Sequence, residues 1–188
     1  MPAASGRSLK ARALQWLAQR EHSRVELRRK LLRAARDAAA KAEAGTGAGA
    51  AADGAGRASA DDDGEAAADV QARVDALLDW LEAGRYLSPE RFVESRVHAR
   101  AARYGNLRIR RELQQHDLAV DAQTAATLAA TELDRARAVR ARRYPAPPGD
   151  ANERARQARF LIGRGFSSEV VRRVLGEAGT PDDAASAD

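Results

Sequence analysis

The apolar positions of this chain recur at helical spacing along most of its length. Val70, Val74, Leu77, Leu78 and Leu81 fall at i, i+4, i+7, i+8 and i+11, which lays one apolar stripe along a helix, and Gly84 supplies its C-terminal stop. Leu9, Ala13, Trp16 and Leu17 fit the same template. Ser88, Pro89 and Glu90 place a cap, a first-turn proline and a first-turn acid ahead of Phe92, the order of a helix start. Asp121 is positioned to cap a long helix through Leu128, Leu133 and Val139. No stretch sustains apolar–polar alternation with β-branched enrichment, so the pattern predicts an all-α protein.

Three interruptions break the pattern. Between Asp37 and Ala68 there is no Leu, Ile, Val or aromatic residue, so nothing can be buried to offset the entropy of ordering the segment, and a disordered insert is expected at about 37–68. Pro145, Pro147 and Pro148 remove backbone donors and fix φ, which ends any helix at Arg143 and makes 145–150 a short stiff linker. Residues 177–188 read as an acidic disordered tail, and 1–8 as a flexible N-terminus.

Three segments align without gaps. Leu27-Arg28-Arg29-Lys30-Leu31, Ile109-Arg110-Arg111-Glu112-Leu113 and Val171-Arg172-Arg173-Val174-Leu175 each hold an aliphatic residue, two arginines, any residue and a leucine. Each is preceded by a residue fit to cap a helix (Ser23, Gly105, Ser167) and, before that, by a ring (His22, Tyr104, Phe166) placed to staple the incoming chain. The two aliphatic residues lie at i and i+4 on one face, and the arginines between them point roughly 100° and 200° away. A short helical module, apolar on one face and basic on another, is therefore used about three times. Stacked, such modules would set basic helices at intervals suited to a long, regular, anionic partner.

Charge sharpens this picture. The chain holds 32 Lys and Arg against 27 Asp and Glu, and its net +5 hides a segregation. Residues 37–69 carry a net −6 and residues 176–188 a net −4, leaving +15 for the remainder. Of the bases, 29 are Arg, whose fork suits bidentate contact with phosphate or carboxylate. The absence of cysteine excludes disulfides, thiolate metal sites and cysteine nucleophiles, and a reducing cytoplasm suits the chain. No apolar run approaches the roughly 20 residues of a membrane span, and residues 1–7 lead directly into an amphipathic pattern, so neither a span nor a leader is expected.

Catalytic chemistry is not expected. His22, His98 and His116 share no ligand spacing, Asp61 to Asp63 form a solvated acidic run, and Gly45, Gly47 and Gly49 lack the Lys-Ser/Thr of a phosphate loop. Ser23 and Ser167 read as caps. Neither metal nor cofactor is called for.

Gly84-Arg85-Tyr86-Leu87-Ser88-Pro89-Glu90-Arg91-Phe92, followed by Arg103-Tyr104-Gly105-Asn106-Leu107-Arg108-Ile109-Arg110-Arg111-Glu112-Leu113, resembles the signature of the RecX family, bacterial proteins that modulate the RecA recombinase. The flanking repeats agree in Arg20-Glu21-His22-Ser23, in Glu26 to Leu31, in Arg159-Phe160-Leu161 and in Arg164-Gly165-Phe166. The resemblance implies tandem three-helix repeats in a curved, elongated, solenoid-like array: repeat 1 at 9–87, repeat 2 at 88–144 and a truncated repeat 3 at 151–176. It also implies lodging in the groove of the RecA–DNA filament, with lowered ATP hydrolysis, strand exchange and coprotease activity in DNA repair and the SOS response. Arg96 stands where the family usually has an aromatic residue, and Asn106 where proline is common.

On this reading the chain is a monomeric, non-enzymatic interaction protein. Its partners are the RecA filament and, through phosphate, single- or double-stranded DNA. The contact candidates are Arg24, Arg28 and Arg29, then Arg108, Arg110 and Arg111, then Arg172 and Arg173. The alternative is a free-standing helix-turn-helix DNA-binding protein, but that class normally works as a dimer with one recognition helix per subunit, and this chain repeats its basic helix internally.

Overall fold

A computed structural model describes residues 8–46 and 60–177, which form eight helices and, among the described residues, no strand. They are α1 (Leu9–Gln19), α2 (Arg24–Thr46), α3 (Ala60–Ala83), α4 (Pro89–Ala101), α5 (Asn106–Gln114), α6 (Ala122–Arg143), α7 (Ala151–Gly163) and α8 (Ser168–Glu177). The chain divides into two compact units after Phe92, within α4.

The expected caps are in place. The Ser88 hydroxyl accepts from the Arg91 amide (3.1 Å), Asp121 accepts from the Thr124 amide (2.9 Å), and Ser23 and Ser167 accept from the amides of Glu26 and Val170. The stop after α3 works differently from the expectation. Arg85, not Gly84, takes the left-handed turn (φ 56°), while a Cβ at Gly84 would lie 2.8 Å from the Tyr86 ring. A side chain at 84 would have to displace the exposed Tyr86 ring from its place against Trp80.

The first unit is a three-helix module. Ala13 of α1, Leu27 and Leu31 of α2, and Val74, Leu78 and Leu81 of α3 are wholly buried in one cluster, closed by Leu87. Both long helices reach into the segment expected to be disordered: α2 continues through Thr46 and α3 begins at Ala60. Alanine's high helix propensity extends a helix already nucleated on the core, and the described side chains of those extensions, 37–42 and 65–69, are exposed. Residues 47–59, the middle of that expected insert, lie outside the described residues, as do 1–7 and 178–188.

In the second unit the proline-rich segment ends α6 at Arg143 as expected, yet α6 is shared between two packings. Near its start Leu128 and Glu132 meet α5 through Asn106. Beyond them Ala136 and Val139 join Leu161 of α7 and Val171, Val174 and Leu175 of α8 in a second core, with Phe166 at its centre. Thus α7 and α8, the two helices of the expected truncated repeat, are completed by the C-terminal half of α6.

Candidate functional site

The three-fold register survives in the structure. Leu27 and Leu31, Ile109 and Leu113, and Val171 and Leu175 are all buried, so each Arg couplet faces away from a core. The surroundings of the couplets differ. On α2, Arg28 forms a bidentate pair with Asp75 (2.6 and 3.0 Å), and Arg24 reaches Asp79 and Glu82 at 2.7 Å each. These acids recur along one side of α3 opposite α2, and the Asp75 carboxyl is held below its usual range by the Arg28 guanidinium. Arg24 and Arg28 therefore meet carboxylates of their own module, which the repeat pattern alone did not disclose. Arg29, Arg110, Arg111, Arg172 and Arg173 stand exposed, and among the described residues none of them has a carboxylate within ion-pair distance.

The rings expected as staples also diverge. Phe166 is buried in the second core. His22 is buried but polar: its Nδ1–H donates to the Arg20 carbonyl (2.9 Å), and Nε2 faces Lys30 Nζ at 3.0 Å. Burial pushes this imidazole below its ordinary pKa, which keeps it neutral and able to accept from the ammonium. Tyr104 is half-buried and carries guanidinia of three arginines around its ring, Arg108 at 4.2 Å, Arg164 at 5.6 Å and Arg100 at 5.9 Å from the centroid.

Arg108 lies on one wall of a groove of about 550 Å³, formed by α4, α5 and the turn after α7. Arg96 and Arg100 of α4 and Arg111 of α5 also line it. Glu112 sits among them, accepting from Arg100 Nε and Nη2 (3.1 and 3.0 Å) and lying 3.3 Å from Arg96. Arg96, where the resemblance led us to expect an aromatic side chain, is thus held by a carboxylate, while no acid of the described residues pairs with Arg108 or Arg111. Ile162, 54% exposed, adds an apolar lip. Two uncompensated guanidinia beside an exposed aliphatic side chain form a surface able to hold an anionic, partly apolar partner.

Two features make this groove rigid. Gly105 caps α5 by backbone alone: its amide donates to the Arg164 carbonyl (3.0 Å), and the Leu107 amide donates to the Gly165 carbonyl (3.1 Å). Orphan donors of one helix start meet orphan acceptors of another helix end, an arrangement that also aligns the opposite ends of two helix dipoles. Beneath it, the buried Glu132 carboxylate accepts from the Asn106 amide (2.9 Å) and Nδ2 (3.0 Å). Arg135 donates to the carbonyls of Ala101 and Tyr104 and to Asn106 Oδ1, capping the end of α4. The backbone N–H of Asn106 is used here, a donor that the proline implied by the resemblance would lack.

Among the described residues no cluster of His, Asp and Glu has the make-up of a metal site, and no helix is long and apolar enough to cross a membrane.

Comparison with known proteins supplies the context for this groove. A family model described as the third three-helix domain of RecX matches residues 130–175, a span that begins inside α6 where its packing passes from α5 to α7 and α8. The chain is 45% identical over 170 residues to the Regulatory protein RecX of Ralstonia nicotianae, covering 89% of this chain and 86% of that one. It is 42% identical over 173 residues to the protein of the same name from Ralstonia pickettii (91% and 88% covered), and 43% identical over 178 residues to that of Herbaspirillum seropedicae (94% of each).

Proposed function

The chain belongs to the RecX family, and from that premise we propose that it regulates the RecA recombinase by seating its basic helices against the recombinase–DNA filament. The observation that carries this reading is the recurrence of exposed arginines at one register, Arg29 on α2, Arg110 and Arg111 on α5, and Arg172 and Arg173 on α8, each beside a buried aliphatic pair. Individually such contacts are weak, but modules on one chain add through effective concentration, so occupancy of a filament does not depend on one decisive residue. The contact set in this proposal is Arg29, Arg108, Arg110, Arg111, Arg172 and Arg173. Arg24 and Arg28 are assigned to holding α2 on α3, since their carboxylate partners lie in the same module.

Occupying a helical groove would oppose filament growth and lower the activities that need an intact filament: ATP hydrolysis, strand exchange and coprotease action. The reading assigns the chain no reaction of its own, in keeping with the regulatory name its relatives carry. It is tested by adding the purified protein, below stoichiometry, to the cognate recombinase on single-stranded DNA. DNA-dependent ATP hydrolysis should fall with dose, and a flat response over a wide range would refute the proposal.

A further inference from the structure

A second basic feature of the same unit lies apart from the couplets. The last turn of α6 carries Arg142 and Arg143, α7 is closed by Arg164, and Arg103 follows the end of α4; these four line one groove of about 230 Å³. Val139 and Phe160 form its apolar floor. Three helix C-termini therefore meet at a surface occupied by four guanidinia.

The simplest role for these arginines is to offset the helix ends, and magnitudes decide how far that goes. Each C-terminus carries about −0.5 of a charge, so three ends account for about −1.5 against four positive charges. More than half of the positive charge is left over. Nothing else in the described structure neutralises it, because no carboxylate lies within ion-pair distance of any of the four. Arg164 is held in place by stacking on Tyr104 and Phe160 (5.6 and 5.1 Å), and Arg143 by Tyr144 (5.3 Å), so two of the forks are pre-oriented without losing charge. The α4–α5 groove differs from this one in containing Glu112.

We infer that the groove of Arg103, Arg142, Arg143 and Arg164 binds the sugar–phosphate backbone of a nucleic acid, independently of any recombinase. Phosphate oxygens meet the forks while the sugar lies against the partly exposed Phe160. The ring of Phe160 packs edge-on against Tyr144 in the second core rather than standing free as a base platform. Binding is therefore to backbone and indifferent to sequence. The inference goes beyond the regulatory reading and does not rest on it.

The test uses the full chain and naked DNA. Fluorescence anisotropy of a labelled oligothymidylate, and of an abasic strand of equal length, is followed through a KCl series with polyglutamate as a competing polyanion. Both strands should bind alike, and both should resist polyglutamate. The R103Q/R142Q/R143Q/R164Q variant should lose about tenfold or more in affinity at low salt, with the slope of log K against log[salt] shallower by about 3, as four lost single-strand phosphate contacts require. Because Arg143 and Arg164 also stack on rings, R103Q/R142Q serves as a second variant that disturbs no ring contact, and about half of that slope change is expected from it. An unchanged slope in both variants overturns the inference. So does equal displacement by polyglutamate, which would mark an acidic-protein site, or loss of binding on removing the bases. Recombinase inhibition surviving in R103Q/R142Q would leave the regulatory reading intact whichever way the DNA result falls.

Discussion

Gly105 and Gly165 meet backbone to backbone: a Cβ on Gly105 would lie 2.2 Å from the Gly165 carbonyl oxygen, and one on Gly165, whose φ is +85°, would lie 2.4 Å from Arg108 Cβ. The start of α5 and the turn after α7 are thereby brought within hydrogen-bond distance. At the equivalent positions of the other two repeats the chain has Ser23 and Ser167, which cap by side chain.

Serine at 105 should consequently fail although it is the better cap elsewhere. A cap hydroxyl gains about 1 kcal/mol, whereas forcing backbone segments apart in a packed contact costs about 1–3 kcal/mol. Gly105→Ser and Gly105→Ala should both lower the melting temperature of the protein by several degrees. An unchanged melting curve for Gly105→Ser would show that the close approach relaxes freely.

Removing the Glu132 carboxylate should be more damaging than removing surface acids. Glu132→Ala strands two donors of Asn106 and takes away the nearest countercharge of half-buried Arg135, whose charged form is already disfavoured by burial. A loss of about 3 kcal/mol is expected in urea unfolding. Glu132→Gln, which keeps an acceptor, should lose less. Asp134→Ala, whose partner Arg137 is exposed, should change stability by no more than about 0.5 kcal/mol.

The two classes of repeat arginine should separate by assay. R110Q/R111Q/R172Q/R173Q should weaken inhibition of recombinase ATP hydrolysis with helix content unchanged. R24Q/R28Q should instead lower stability by about 1 kcal/mol, the range for partly exposed ion pairs, and leave most inhibition in place. If R24Q/R28Q abolished inhibition at unaltered stability, the assignment of those two residues to α3 would be wrong.

His22 should make the first unit sensitive to mild acid. Because burial lowers its pKa in the folded chain, the unfolded chain takes up a proton more readily. Its contribution is fully present above the ordinary imidazole value of about 6.5 and is lost as pH falls through the lower folded value. The melting temperature should drop between pH 7.5 and 5, and His22→Asn should flatten that drop; equal slopes for the two proteins would exclude His22 as its source.

Helix positions, caps at Ser23, Ser88, Asp121 and Ser167, and the buried halves of the repeats were readable from the sequence because they depend on spacing within one helix. A stripe at i and i+4 must face one way whatever it meets, and a hydroxyl before a first turn has its donors within three residues. The helical ends of the 37–68 segment were not legible for the converse reason: composition reports what can be buried, while an alanine-rich helix already nucleated on a core extends without burying anything.

What distinguishes three identical couplets depends on partners far away in the chain. Asp75 is 47 residues from Arg28, Glu132 is 26 from Asn106, and Arg164 stands about as far from Tyr104 in sequence as the repeat period itself. The sequence by itself determined that the chain is helical, that it repeats, and which face of each repeated helix is basic, since those follow from local periodicity. Only the tertiary structure decided which arginines meet carboxylates, which stack on rings and which remain available, because charge compensation acts through space and helix packing brings together groups that no spacing rule connects.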